Sequence, residues 1–167
     1  ELSREDFIRL HEVFDGMSLP LFAKYSGKVI KKIGDAFLVT FRSSTDAILA
    51  GMSLQNSFRK YNKNNKLHIM IRVAVHSGEV LVNKNDIYGD TVNTTARIEE
   101  ITKPGDILFT EAVFQSMDKN KIPSLHIGLR KFKGLSFPIR LFRVKKRETN
   151  AIRFKRYIKK IRNKLFA

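Results

Sequence analysis

GKVIKKIGDAFLVTF, residues 27–41, reads as two short apolar strands folded back on one another. Val29, Ile30 and Ile33 precede a tip, and Ala36, Phe37, Leu38, Val39 and Phe41 follow it, with Gly27 and Gly34 as the breaks. That is the composition of a buried hairpin, and it puts Lys31, Lys32 and Asp35 at the turn. Charged groups beside a buried sheet cost desolvation energy unless they are paired, so these three stand either on a solvated tip or at a ligand.

Working outward, Ser3 followed by Asp6 opens an N-capped helix whose apolar positions, Phe7, Leu10, Val13, Phe14, Met17 and Phe22, recur at helical spacing up to Gly27. On the other side, residues 45–61 carry a broad apolar stripe and end in the polar run NKNNK. Residues 67–75 alternate as a strand, His76-Ser77-Gly78 turns the chain, and residues 79–83 begin another strand. Asp90 or Thr91 is placed to cap a helix through Ile101, stopped by Lys103-Pro104-Gly105. Residues 107–110 then read as a strand, 111–117 as a short helix, and 125–132 and 139–144 as strands joined near Lys133-Gly134. The order is a split βαβ pattern, an α+β, ferredoxin-like sheet covered by helices, whose opening strand is expected just upstream of Glu1. The chain begins without methionine, which fits a piece of something longer.

At 167 residues and 43% hydrophobic content, one main domain is the expectation, taken as 1–144. Residues 145–167 are expected to form a separate basic amphipathic helix. No apolar run approaches a membrane span, and the absence of cysteine excludes disulfides, thiolate metal sites and cysteine nucleophiles. A reducing, cytoplasmic setting is the matching expectation. The net charge of +16 calls for anionic company, but about a third of the basic residues lie between Lys145 and Lys164. There Phe154, Ile158, Ile161 and Leu165 make one stripe among lysines and arginines. Such a tail suits an anionic membrane surface, a regulatory docking helix, or an ordinary terminal helix over the sheet.

The second informative stretch is DIYGDTVNTTAR, residues 86–97. With a helix starting near Asp90, Asn93 and Arg97 are four residues apart on one face. An amide suits a sugar oxygen and a guanidinium fork suits phosphate, while the bland alternative is an ordinary polar helix surface.

Taken together, KKIGDAFLVTF, IRVAVHSGEV, DIYGDTVNTTARIEE, KPGDILFTEAV and LRKFKGLSFPIRLFRV, in that order and spacing, resemble the class III nucleotidyl cyclase catalytic domain over about residues 1–144. The resemblance implies that Asp35 is the second metal-binding aspartate, Lys31 the base-selecting lysine and Asp86 the acceptor from the base's exocyclic amine. It further implies that Asn93 orients the ribose, Arg97 stabilises the transition state and Lys133 contacts phosphate. Two Mg2+ or Mn2+ ions are implied with it, one to activate the 3′-hydroxyl and one to grip the phosphates. Adenine offers an acceptor at N1 and a donor at N6, matching Lys31 and Asp86, so ATP is the favoured nucleoside triphosphate, with GTP and pyrimidine substrates left open. Because Lys31 and Asp35 share a hairpin yet serve different parts of the ligand, the resemblance implies a head-to-tail homodimer with two composite sites.

This chain departs from the family in having nothing like FxDIxGFT, the segment that carries the first metal aspartate. Tyr88 takes a place often filled by another aromatic, and Thr94-Thr95 replaces smaller residues. Two other readings stand beside the enzyme. One is a catalytically inactive cyclase-like domain that only binds nucleotide or pairs with a partner. The other is a ferredoxin-like RNA-binding module, for which Asp35 is an anion where a stacking aromatic belongs, so nucleic acid is not the expected partner. His11, His68, His76 and His126 have no metal-ligand spacing and read as structural or surface residues.

Overall fold

The computed structural model describes residues 3–146. Helix α1, Arg4–Lys24, starts where expected: the Ser3 hydroxyl accepts the Asp6 amide hydrogen at 3.0 Å. Helix α2, Ser44–Asn64, is capped in the same way by Ser43 and runs into the polar segment expected to close it. Polar residues are tolerated in a solvated last turn, and Asn62 has a structural task there: its side chain donates to the Ile69 carbonyl and accepts from the Ile69 amide, both at 2.8 Å.

That exchange explains a difference from the sequence reading. Only Val73–Val75 forms strand β3, not the whole of residues 67–75. Asn62 takes the backbone groups of Ile69, and the Ile71 carbonyl accepts from the Gln55 amide and the Gly105 N–H, so the alternating run spends its hydrogen bonds on side chains and a loop.

Strands β1, Lys28–Ile33, and β2, Ala36–Thr40, form the hairpin of the opening stretch around a two-residue turn, Gly34-Asp35. Gly34 sits at φ +59°, a conformation that costs glycine little. Lys31 and Lys32 therefore belong to strand β1 and not to the tip, because the turn is tighter than the charge pattern suggested. A bulge lies between Val29 and Lys31.

The main sheet has the order β3–β6–β8–β7, where β6 is Ile107–Thr110, β7 is Ser124–Arg130 and β8 is Ile139–Val144. β3 and β6 are parallel, joined through a second hairpin, β4 Leu81–Asn83 with β5 Asp86–Tyr88, and through helix α3, Asp90–Ile101. Alternation sends Phe109 and Phe142 to one face, against Ile48 of α2 and Val113 of helix α4, Glu111–Ser116. Leu108 and Leu141 go to the other face, under Ile98 of α3 and Phe132.

A third cluster, Phe22, Leu54 and Phe58 with Phe14, Val29, Phe37 and Phe41 around it, fastens the β1–β2 hairpin to α1 and α2. Among the described residues that hairpin shares a backbone ladder with no other strand. The architecture is the expected α+β one, with a split βαβ order. Among the described residues no helix is long and apolar enough to cross a membrane. Residues 147–167, most of the expected basic helix, lie outside the described residues.

Candidate active site

The hairpins β1–β2 and β4–β5 meet through one ion pair. Lys31 Nζ donates to Asp86 Oδ2 at 2.6 Å, with both side chains part-buried. Asp86 begins β5, and its other oxygen accepts the Ile87 amide hydrogen at 2.8 Å. The Lys31 hydrogen bond, reinforced by the Ile87 amide, holds the Asp86 carboxyl below its ordinary value. Tyr88, two residues on, shares the strand face of Asp86, while Ile87 between them is buried. The neighbouring Asp86 carboxylate pushes the Tyr88 phenol up from the ordinary value. Lys31 Nζ also lies 5.6 Å from the centre of the Tyr88 ring. These three residues line an open cavity of about 370 Å³ together with Asn83 at the end of β4 and Lys84 and Asn85 of the β4–β5 turn.

Helix α3 follows at once. Its N-cap is Gly89 at φ +127°, with no side-chain cap, so neither Asp90 nor Thr91 caps it as the sequence suggested. Thr91 instead donates to the Glu79 carbonyl, tying the helix start to the segment after β3. That closeness requires Gly78: a Cβ there would stand 2.5 Å from Thr91 Oγ1. Thr94 and Ile98 are buried, which turns Asn93 and Arg97 to the exposed side. An ion pair between Arg72 and Glu99 fastens α3 beside β3. The guanidinium of Arg97 donates to both oxygens of Glu100, at 3.1 and 3.2 Å.

Of the expected site residues, the fold brings Lys31 and Asp86 into contact and sets Asn93 and Arg97 on one helix face. Asp35 is exposed at the hairpin tip, and Lys133 is exposed in the β7–β8 connection beside buried Phe132. A hard divalent ion needs several oxygen ligands. Among the described residues no group of three or more His, Asp or Glu side chains is placed to hold one, so the donor set does not by itself make the expected two-ion centre. His76 is structural, as read: Nδ1 lies 2.9 Å from Thr110 Oγ1, and burial lowers its pKa from the ordinary value.

Two residues carry more than the sequence reading gave them. Glu100 is the partner of Arg97, and the i,i+3 spacing was the available signal. Tyr88 lines the same cavity as Lys31 and Asp86, with Lys31 Nζ over its ring; its period-2 spacing from Asp86 pointed there, but only once residues 86–88 are known to be a strand.

Residues 7–146 match the model of the adenylate and guanylate cyclase catalytic domain. The chain is 29% identical over 143 residues to the serine/threonine-protein kinase pkn2 of Myxococcus xanthus, covering 84% of this chain and 17% of that protein. It is 29% identical over 126 residues to a putative adenylate cyclase 3 of Rhizobium meliloti (strain 1021), covering 74% of this chain and 22% of that protein. It thus spans about a fifth of these two relatives. Among solved structures, an adenylate/guanylate cyclase/hydrolase from Silicibacter pomeroyi superposes with a TM-score of 0.77 at 26% identity, over 86% of this chain and 88% of that one. With this match running through both hairpins, α3 and the whole main sheet, the chain belongs to the adenylate and guanylate cyclase catalytic domain family.

Proposed function

We propose that this domain converts ATP to 3′,5′-cyclic AMP and pyrophosphate at composite sites of a homodimer. The observation that carries the reading is the Lys31–Asp86 pair in its cavity: a donor and an acceptor side by side, open to a nucleobase edge. Adenine N1 accepts from Lys31 and its N6 amine donates to Asp86, which makes ATP the preferred substrate. The relative from Rhizobium meliloti, named a putative adenylate cyclase, is consistent with that preference.

One turn of α3 supplies the rest of the binding machinery. Asn93 holds the ribose so that its 3′-hydroxyl stays near the α-phosphorus, making the attack effectively intramolecular. Arg97 leaves Glu100 for the phosphate oxygens and offsets the charge that builds on them, and Lys133 adds a second cation. Asp35 is assigned to divalent metal. A single hairpin carrying both Lys31 and Asp35 is best used by two protomers in opposite sense, each lending its hairpin tip to the other's α3.

Incubation of the protein with ATP, GTP, CTP or UTP and Mn2+, with product analysis by chromatography, tests the reading. Cyclic AMP as the main product, lost in Arg97→Ala, is the expected result. Equal product from wild type and Arg97→Ala refutes the site.

A further inference from the structure

The face of the main sheet that α3 covers continues past the end of that helix. On it Leu108 of β6 lies opposite Arg143 of β8, and strand alternation puts Leu141 and Ile139 on the same side. In β7 an irregularity between His126 and Gly128 turns Ile127 to this face, where it packs beside Leu108 and Leu141, and Arg130, opposite Ile139, comes to the same side. Helix α3 stops at Ile101, and the chain leaves through Lys103, so this part of the face stays open.

What results is a second cavity, of about 380 Å³, which shares no residue with the one around Lys31 and Asp86. Its volume falls within the range of small-molecule sites, roughly 300–1,000 Å³. Leu108, Ile127 and Phe132 give it an apolar lining, and four cations, Lys103, Arg130, Lys131 and Arg143, line it as well. Its one carboxylate, buried Asp106, is already offset: Lys146 Nζ lies 2.7 Å from Oδ1 and the Arg143 guanidinium 3.6 Å from Oδ2. Lys103, Arg130 and Lys131 are exposed and make no ion pair among the described residues.

Cations gathered around an apolar concavity set up a positive field that an entering anion relieves. Guanidinium forks and ammonium groups hold carboxylate or phosphate oxygens, while the apolar lining gains by covering a ligand's hydrocarbon surface. A free inorganic ion satisfies only the first of these, and a neutral apolar molecule only the second.

We propose that this cavity is a second ligand site, for a small organic anion: an apolar body lies against Leu108, Ile127 and Phe132, and a phosphate or carboxylate group meets Lys103, Arg130 and Lys131. The site stands independently of the nucleotide reading given above.

The test is calorimetric titration of the full chain with 1-naphthyl phosphate, with inorganic phosphate and 1-naphthol as probes of the charge alone and the apolar body alone. Saturable binding at least about tenfold tighter than either is expected, the scale of burying a ring beside a paired charge. 1-Naphthoate, run alongside, tells a carboxylate from a phosphate head group, and this preference in either supports the site. The double variant Arg130→Gln, Lys131→Gln is expected to weaken binding about tenfold, the size of a charge-assisted hydrogen bond. Lys60→Gln with Lys63→Gln removes the same charge from α2, which packs on the other face of the sheet, and is expected to leave the affinity within about twofold of wild type. An organic anion bound no tighter than inorganic phosphate, or equal weakening by the two double variants, overturns the proposal. Repeating the titration with saturating 3′-deoxy-ATP, which cannot cyclise, separates the cavities: unchanged binding supports a second site, whereas displacement makes the cavity the phosphate end of the nucleotide site and also overturns it.

Discussion

Lys31 and Asp86 are 55 positions apart in the chain and 2.6 Å apart in space, joined as the only ion pair among the described residues between the β1–β2 and β4–β5 hairpins. The ammonium holds the Asp86 carboxyl below its usual range. A depressed carboxyl pKa means that the pair is fully formed above the ordinary aspartate value and is lost only as the pH falls through the lowered one. Lys31→Met is therefore expected to let the Asp86 carboxyl rise toward its ordinary value and to raise KM for ATP about tenfold, the scale of a hydrogen bond to a charged group. Carbon-detected NMR titration of Asp86 and initial-rate kinetics check the two parts.

Arg97 is exposed and its own contacts are to Glu100, so its removal should leave the fold intact. Arg97→Ala is expected to lower kcat by about 10²- to 10³-fold, the range for losing a group aimed at developing charge, with KM changed far less. Arg97→Lys, which keeps the charge and loses the fork, falls between. Thermal melts within about 1 °C of wild type establish that the losses are not unfolding.

If the sites are composite, two inactive variants complement each other. In a mixture of Asp35→Ala and Arg97→Ala protomers, a mixed dimer has one site carrying both substitutions and one carrying neither. Statistical mixing at equal ratio then restores about a quarter of wild-type turnover from two preparations that are each inactive. Activity that stays at background after mixing, with dimers demonstrated by sedimentation, removes the head-to-tail arrangement.

His76 gives a stability prediction independent of the reaction. Its pKa is lowered by burial from the ordinary 6.5, so the unfolded chain binds more protons than the folded one as the pH drops below that value. Stability is expected to decline with acid in that window, and His76→Gln to flatten the decline. Urea melts at pH 7.5 and 5.5 compare the two slopes.

Gly78→Ala tests how α3 is seated. A methyl at that position meets Thr91 Oγ1, which is already committed to the Glu79 carbonyl, so the helix start must shift. The expected loss is about 1–3 kcal/mol, the cost of inserting a methyl into a packed contact, and reduced turnover through displaced Asn93. Chemical denaturation and kinetics on the same preparation separate these effects.

How much of this was legible beforehand depends on the range of the forces involved. Both long helices followed from local signals, α1 from the Ser3 cap and apolar spacing and α2 from its apolar stripe, while the Ser43 cap one position before α2 went unread. β6 and β8 were bounded correctly because their apolar runs are short and flanked by turn residues. Residues 67–72 misled because Asn62 and Gln55, distant in the sequence pattern, take their backbone partners. The shared face of Asn93 and Arg97 came from helix periodicity alone. The meeting of Lys31 with Asp86 had no local signal and rested on resemblance to a family, and the position of Tyr88 beside them depended on residues 86–88 being a strand.

Among the described residues the β1–β2 hairpin is joined to the rest by aromatic side chains and by the Lys31 and Lys32 ion pairs, and shares no ladder with the four-stranded sheet. Cooperative units of a protein open separately where few backbone bonds connect them. Amide hydrogens of Val29–Val39 should therefore exchange with solvent earlier than those of Leu108, Phe109 and Phe142, which lie in the centre of the main sheet. Under the proposed roles of Lys31 and Asp35, both carried by that hairpin, an added contact that holds the hairpin against α1 and α2 would also raise the fraction of molecules able to bind nucleotide.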